Sequence, residues 1–292
     1  MSNRRATLVS FTAVLMWSLL ALFTAASGRV PPFQLVAMSF AIAAAAGALS
    51  WSFRAGARKR LRAPAGAWLL GVAGLFGYHF FYFTALKSAP PVEAALINYL
   101  WPLLIVLLSA SLPGERLGWH HVAGALLGLF GTALIVTGGR DFGVEADYAP
   151  GYAAALAAAV IWATYSVMSR RFAGVSSDAV AGFCLATALL SALCHLVIEE
   201  TVWPAGVMEW LAVLGLGLGP VGTAFYVWDH GVKHGDIAVL GASAYMAPLL
   251  STGILILAGF GVATWTIAIA CLAITGGAAL AAKDLILARV RP

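Results

Sequence analysis

The residues best equipped for chemistry lie close together. The stretch GYHFFYF, residues 77–83, puts Tyr78, His79 and Tyr82 in the middle of a run, Ala67 to Leu86, that has no charged side chain. Helical residues three and four apart are neighbours, so His79 with Tyr82 and Tyr78 with Tyr82 share one face. Two hydroxyls and an imidazole on one face can hydrogen-bond a polar solute. The same rings can stack on an aromatic one. Polar groups inside a membrane are costly and by default face the protein interior or a water-filled path. A tyrosine belt at the membrane interface is the alternative. The depth of His79 along the run favours the interior.

Two further clusters have the same character. Asn98, Tyr99 and Trp101 precede Pro102, and Ser243 and Tyr245 precede Pro248. A proline inside a helix removes one hydrogen bond and crowds the carbonyl four residues back. Those carbonyls belong to Asn98 and Ala244, and a freed carbonyl facing a cavity can bind an ammonium group. A kink that serves packing alone is the alternative for both prolines. Trp17 beside Ser18, and Trp162 beside Thr164 and Tyr165, add aromatic surface. Tight packing plus an interfacial tryptophan is the competing reading there.

Other chemistry has little support. There is no HExxH and no pair of aspartates within an apolar run. His120-His121 sits at a turn without an acid on the next helical turn. Cys184, Cys194 and Cys271 lack CxxC spacing and read as small buried hydrophobes. GLGLGP, residues 215–220, resembles a phosphate loop only superficially, since small residues inside a span serve close helix packing. Neither a metal, a cofactor nor an enzyme activity is expected. His79 is the only ionisable residue in the central part of any span. Glu93 and Asp229 sit near helix ends, and Asp229 is four residues before Lys233, which makes a local ion pair. One histidine is not a proton relay, so movement down a gradient is expected. A large neutral amino acid suits aromatic, nearly uncharged walls. A sugar phosphate would need Arg or Lys within the spans. A cationic drug would lack an acidic counter-ion.

These residues need elements to hold them. The 292-residue chain is 62% hydrophobic and 10% charged, against about 25% charged in soluble domains. Runs of about 20 apolar residues, enough to cross a bilayer, recur nearly end to end. Barrel strands of about 10 alternating residues do not fit. The sequence predicts an all-α membrane protein with ten spans, near 6–27, 33–53, 67–86, 91–111, 118–137, 150–169, 178–198, 207–229, 236–257 and 263–282. The first run is too long for the apolar part of a signal peptide, so it counts as a span. With the N-terminus inside, Arg29, Lys87 and Arg140 are the only ones of the 17 Lys and Arg that fall outside. Arg4, Arg5, Arg54, Arg58, Lys59, Arg60, Arg62, Arg116, Arg170, Arg171, Lys233, Lys283, Arg289 and Arg291 all fall inside. By the positive-inside rule both termini are cytoplasmic. The net charge of +5 is thus a topology signal and no sign of nucleic acid.

The sequence also repeats. A shift of 146 puts Lys87 on Lys233, Tyr99 on Tyr245, Pro102 on Pro248, Trp119 on Trp265 and Gly131 on Gly277. A shift of 145 puts Trp17 on Trp162. The repeat divides the chain into residues 1–140 and 141–292, five spans each. An odd count makes the second copy inverted, the architecture of many secondary transporters with a site at the repeat interface. A receptor or scaffold would not need such a repeat. Gly124 and Gly128 read as intramolecular packing surface, which leaves a monomer as the expectation.

Residues 84–139 carry Ala85-Leu86, Pro90-Pro91, Pro102, Gly114-Glu115 and then Gly124, Gly128 and Gly131. This pattern resembles the EamA family of the drug/metabolite transporter superfamily, and the two five-span copies extend the resemblance over essentially the whole chain. The second copy departs from it, with Gly259-Phe260-Gly261 where Gly-Glu is expected. Within the family, the Trp-rich spans 1 and 6 and GYHFFYF are similar to the aromatic amino acid exporters of Gram-negative inner membranes. The resemblance implies a ten-helix basket around a central cavity. It also implies multi-pass insertion in a bacterial inner membrane and alternating-access efflux of amino acids or related metabolites. Efflux of cationic or multiple drugs, and proton-coupled metabolite export, remain open on the same fold.

Overall fold

The structure, a computed structural model, describes residues 3–53, 63–113, 117–140, 145–257 and 263–284. Among the described residues, ten apolar helices follow in order: α1 (Arg4–Ala26), α2 (Pro32–Trp51), α3 (Ala65–Ser88), α4 (Pro91–Ser109), α5 (Trp119–Thr137), α6 (Ala146–Phe172), α7 (Ser177–Ile198), α8 (Val207–His234), α9 (Ile237–Leu257) and α10 (Trp265–Ala281). Among the described residues, the first nine are long and apolar enough to cross a membrane, and α10 is an apolar helix of 17 residues. Gly114-Glu115 and Gly259-Phe260-Gly261 lie outside the described residues. So do the basic residues of 54–62, Arg116, Arg289 and Arg291.

Several helices are interrupted, and two kinds of interruption recur at repeat-related places. α4 turns at Tyr99–Leu100 and α9 at Ala244–Tyr245, just ahead of Pro102 and Pro248. α3 contains a π-helical segment, Ala73–Gly77, and α8 contains another, Gly219–Thr223. The two segments are again 146 residues apart. α1 has a further turn at Ser18–Leu19. Such breaks lose ladder hydrogen bonds that lipid cannot replace, so they are tolerated where neighbouring helices or a cavity satisfy them.

The helices pair across the two halves. α1 packs on α8 and α3 on α6, while α2 packs on α7, α4 on α9 and α5 on α10. Side chains bond the ends of the bundle. At the end holding the start of α1, the Asp236 amide donates to Thr7 Oγ1 at 2.8 Å and Arg170 donates to the Gly235 carbonyl at 2.9 Å. Asp284, beyond α10, reaches His120 at 3.3 Å. Both described ends of the chain therefore lie on one side. On the other side, Glu199 at the end of α7 accepts from the Phe33 and Gln34 amides that begin α2, and Lys87 lies 3.6 Å from it. Asp229 and Lys233 form a buried pair at 2.8 Å on α8, as their spacing predicts.

The α5–α10 seam is built from backbone. A Cβ on Gly124 would stand 2.5 Å from the Gly277 carbonyl, and one on Gly277 would stand 2.5 Å from the Gly124 carbonyl. Gly128 faces the Tyr245 ring. Small residues let helices approach this closely in lipid. Gly124→Val should cost about 1–3 kcal/mol, typical of overpacking, and lower the melting temperature in detergent by several degrees. Gly276→Val, next door in open space, should not. Equal melting temperatures for the two variants would contradict this packing.

Candidate substrate cavity

A cavity of about 180 Å³ lies at the centre of the bundle, between helices of both halves. Its walls come from Trp17, Leu20 and Ala21 of α1, Tyr78, His79 and Tyr82 of α3, and Asn98, Tyr99 and Trp101 of α4. Trp162 of α6, Pro220, Val221 and Phe225 of α8, and Ala247, Pro248 and Ser251 of α9 complete it. Nine of the residues singled out from sequence therefore meet in one place: Trp17, Tyr78, His79, Tyr82, Asn98, Tyr99, Trp101, Trp162 and Pro248. The lining comes from the middle of the helices and from the half remote from the start of α1.

The cavity has an aromatic floor. Trp17, Trp101 and Trp162 form it from α1, α4 and α6, and Trp228 of α8 packs behind them, every pair of the four having ring centroids within 6.4 Å. Two indole N–H groups are anchored. Trp17 Nε1 donates to the Pro220 carbonyl at 3.0 Å, and Trp228 Nε1 donates to Ser166 Oγ at 3.1 Å. Below the floor, α1 and α8 meet closely. Ser10 donates to the Val227 carbonyl at 2.6 Å, and a side chain on Gly231 would collide with Ser10. The path is shut on the side of the chain ends.

The polar wall faces this floor. Tyr78 and Tyr82 stack with centroids 5.8 Å apart. Asn98 Nδ2 donates to the Tyr78 hydroxyl at 3.2 Å. The Asn98 Oδ1 atom is buried and has no hydrogen-bond partner among the described residues. A buried acceptor without a partner costs about 1–3 kcal/mol, so it is poised for a donor. His79 Nδ1 is 2.7 Å from the Leu75 carbonyl. A carbonyl only accepts, so Nδ1 carries the proton and a neutral ring keeps Nε2 as an acceptor. Phe40 and Phe225 pack against the imidazole at 5.1 and 6.3 Å.

Four residues singled out from sequence stand outside the lining. Tyr165 is buried against Gly74 of α3 and the Trp162 ring. Ser243 is buried within α9. Pro102 is buried in α4. Tyr245 donates its hydroxyl to the Tyr99 carbonyl at 3.0 Å, and the Leu103 backbone reaches the same hydroxyl. This one side chain inserts into the α4 ladder where Pro102 breaks it. The Ala244 carbonyl, expected to be freed by Pro248, accepts from the Ala247 amide at 3.0 Å in a tight local turn. Phe225, Trp228 and Pro220 were missed. A signal for two of them existed, since the 146-residue shift carries His79 onto Phe225 and Tyr82 onto Trp228.

Two segments of the chain, residues 4–137 and 149–282, match the EamA-like transporter family. The chain belongs to that family. It is a transporter of the membrane, not an enzyme. Over 283 residues it is 58% identical to the aromatic amino acid exporter YddG of Ancylobacter novellus, covering 96% of this chain and 98% of that one. The aromatic amino acid exporter YddG of Escherichia coli is 27% identical over 268 residues, 87% of this chain and 88% of that one. A solved crystal structure 58% identical in sequence superposes with a TM-score of 0.91, covering 96% of this chain and 99% of that one.

The shut side can be probed chemically. In a variant lacking its three cysteines, Tyr82→Cys and Ser251→Cys should react with a membrane-impermeant maleimide applied opposite the chain ends. Ser10→Cys should stay unlabelled. Labelling of Ser10→Cys alone would reverse the assignment of the open side.

Proposed function

We propose that the chain exports large neutral amino acids, chiefly aromatic ones, across a bacterial inner membrane by alternating access. The observation that carries this reading is the pairing of the unpartnered Asn98 Oδ1 with the three lining tryptophans, Trp17, Trp101 and Trp162, in one cavity. The substrate ammonium donates to Asn98 Oδ1 and His79 Nε2. Hydroxyls of Tyr82 and Tyr99 donate to the carboxylate. The side-chain ring rests on the tryptophans, where ring contacts add about 0.5–1.5 kcal/mol each beyond area burial. The volume of about 180 Å³ suits one small solute, whereas drug-sized ligands take about 300–1,000 Å³. No carboxylate stands among the described lining residues, which disfavours a cationic drug. A relative at 58% identity named as an aromatic amino acid exporter agrees with this substrate class.

The same reading holds the ten helices as two inverted five-helix repeats, residues 1–140 and 141–292, working as a monomer in the bilayer. The exchange pattern of the pairing, α1–α8 against α3–α6, supports a two-fold relation. By the sequence assignment of spans, 14 of the 17 Lys and Arg fall on the side of the chain ends, and the positive-inside rule supports a cytoplasmic position for both termini. The cavity is then open to the periplasm and shut to the cytoplasm. Among the described lining residues His79 is the one whose ordinary pKa lies near neutrality, and a single histidine is not a proton relay, so transport follows the substrate gradient without a proton.

Purified protein in liposomes tests this. Labelled phenylalanine or tryptophan should cross with only its own gradient, and an imposed pH gradient should leave the rate unchanged. His79→Ala, Tyr82→Ala and Asn98→Leu should each lower flux about tenfold, in line with loss of one hydrogen bond to a charged group. Flux that requires the pH gradient would overturn the uncoupled mechanism. Wild-type flux in all three variants would overturn the site.

A further inference from the structure

Tyr99 and Trp101 both line the central cavity, which a regular helix would not allow. They are two positions apart on α4, and at 3.6 residues per turn that spacing points side chains about 160° apart. Residues at i and i+2 of a helix do not face each other. The break in α4 at Tyr99–Leu100 removes the conflict. It turns the backbone between the two side chains, so that both reach one wall.

The break is filled by a hydroxyl. Tyr245 donates to the Tyr99 carbonyl at 3.0 Å, and the Leu103 backbone reaches the same hydroxyl. A hydroxyl has one proton. The carbonyl takes it, so the Leu103 N–H is the donor to the oxygen. In an unbroken α-helix the amide of residue 103 would bond the carbonyl of residue 99 directly. The Tyr245 hydroxyl therefore stands inside that one rung and holds it apart. The tyrosine itself is fully buried. Its ring is seated on Gly128 of α5, where a Cβ would collide with it. α9 carries the ring, α5 backs it and α4 receives its hydroxyl.

The second half offers a comparison within the same molecule. α9 turns at the equivalent place, but there the Ala244 carbonyl accepts from the Ala247 amide at 3.0 Å and the turn closes on itself. The 146-residue shift carries Tyr99 and Trp101 onto Tyr245 and Ala247. Of these two, Ala247 lines the cavity and Tyr245 does not. The self-closed break brings one side chain of its pair to the wall. The break held by a hydroxyl brings both.

From this geometry we infer that Tyr245 is a positioning residue for substrate: its hydroxyl holds the α4 break open so that Tyr99 and Trp101 enter one wall. It touches no substrate itself. Without the hydroxyl, the Leu103 amide and the Tyr99 carbonyl close into an ordinary rung, and the Tyr99 side chain turns out of the wall. The consequence for transport rests on the amino acid reading of the cavity, whereas the turn of Tyr99 does not.

Tyr245→Phe removes the hydroxyl and keeps the ring on Gly128, so it is the variant to test. In the background lacking the three cysteines, Tyr99→Cys should react with an impermeant maleimide applied opposite the chain ends. Adding Tyr245→Phe should slow that reaction severalfold, while labelling of Tyr82→Cys stays unchanged and reports a folded, open cavity. In liposomes, Tyr245→Phe should raise the KM for phenylalanine about tenfold, in line with loss of one hydrogen bond to a charged group, and leave the maximal rate in place. Added to Tyr99→Phe, which removes the hydroxyl being positioned, it should raise KM by less than about twofold, because the two act through one contact. Equal labelling of Tyr99→Cys with and without the Tyr245 hydroxyl would overturn the inference. So would a KM increase that multiplies in full in the double variant, or a lower maximal rate at unchanged KM. Slower labelling of Tyr99→Cys in a protein that carries no phenylalanine would uphold the positioning and overturn the amino acid reading.

Discussion

A backbone carbonyl or amide released inside a bilayer must find a partner within the protein. That constraint organises this molecule. Pro102 breaks α4, and the Tyr245 hydroxyl takes up the Tyr99 carbonyl at the break. The two tyrosines are repeat equivalents, exactly one repeat length of 146 residues apart in the bond itself. One of them is spent as a strut between the halves. The other, Tyr99, is left to line the cavity. A symmetric use of both would lock α4 to α9 twice and leave less polar surface for a solute. The bond joins α9 to α4 while the Tyr99 side chain stays in the cavity wall.

The same division of labour runs through the walls. The first half supplies hydrogen-bonding groups, Tyr78, His79, Tyr82 and Asn98. The equivalent positions in the second half are Ala224, Phe225, Trp228 and Ala244, which supply apolar bulk. Trp17 and Trp162, which a shift of 145 residues superposes in sequence, stay alike and meet at 5.9 Å beside the cavity. The resulting cavity is polar on one wall and aromatic beneath. It presents rings and neutral dipoles, with no carboxylate, Lys or Arg among the described lining residues. The charged groups Asp229 and Lys233 are kept below the floor, paired with each other.

Much of this was legible in the sequence because lipid makes polar residues expensive. Against apolar runs, Tyr78, His79, Tyr82 and Asn98 stand out, and helical spacing assigns Tyr78, His79 and Tyr82 one face of α3. The prolines located the breaks to within a few residues. What sequence did not reveal was which side chain answers each break. Pro102 pointed to the Asn98 carbonyl, yet the Tyr99 carbonyl is the one bonded across the halves, because Tyr245 reaches it from α9. Tyr165 carries the same residue type as the lining tyrosines but is turned onto Gly74, a close approach that only the folded bundle defines. Phe225 and Trp228 look like ordinary apolar residues in α8. Their role emerges only when the repeat carries His79 and Tyr82 onto them.

The central claim is that Asn98 and the tryptophan floor together hold an amino acid. An experimental structure of the protein with L-tryptophan tests it most directly. The account predicts the substrate ammonium within hydrogen-bonding distance of Asn98 Oδ1 and the indole packed on Trp17, Trp101 or Trp162. A ligand bound with its carboxylate toward Asn98 Oδ1, or with its ring away from those tryptophans, would contradict it.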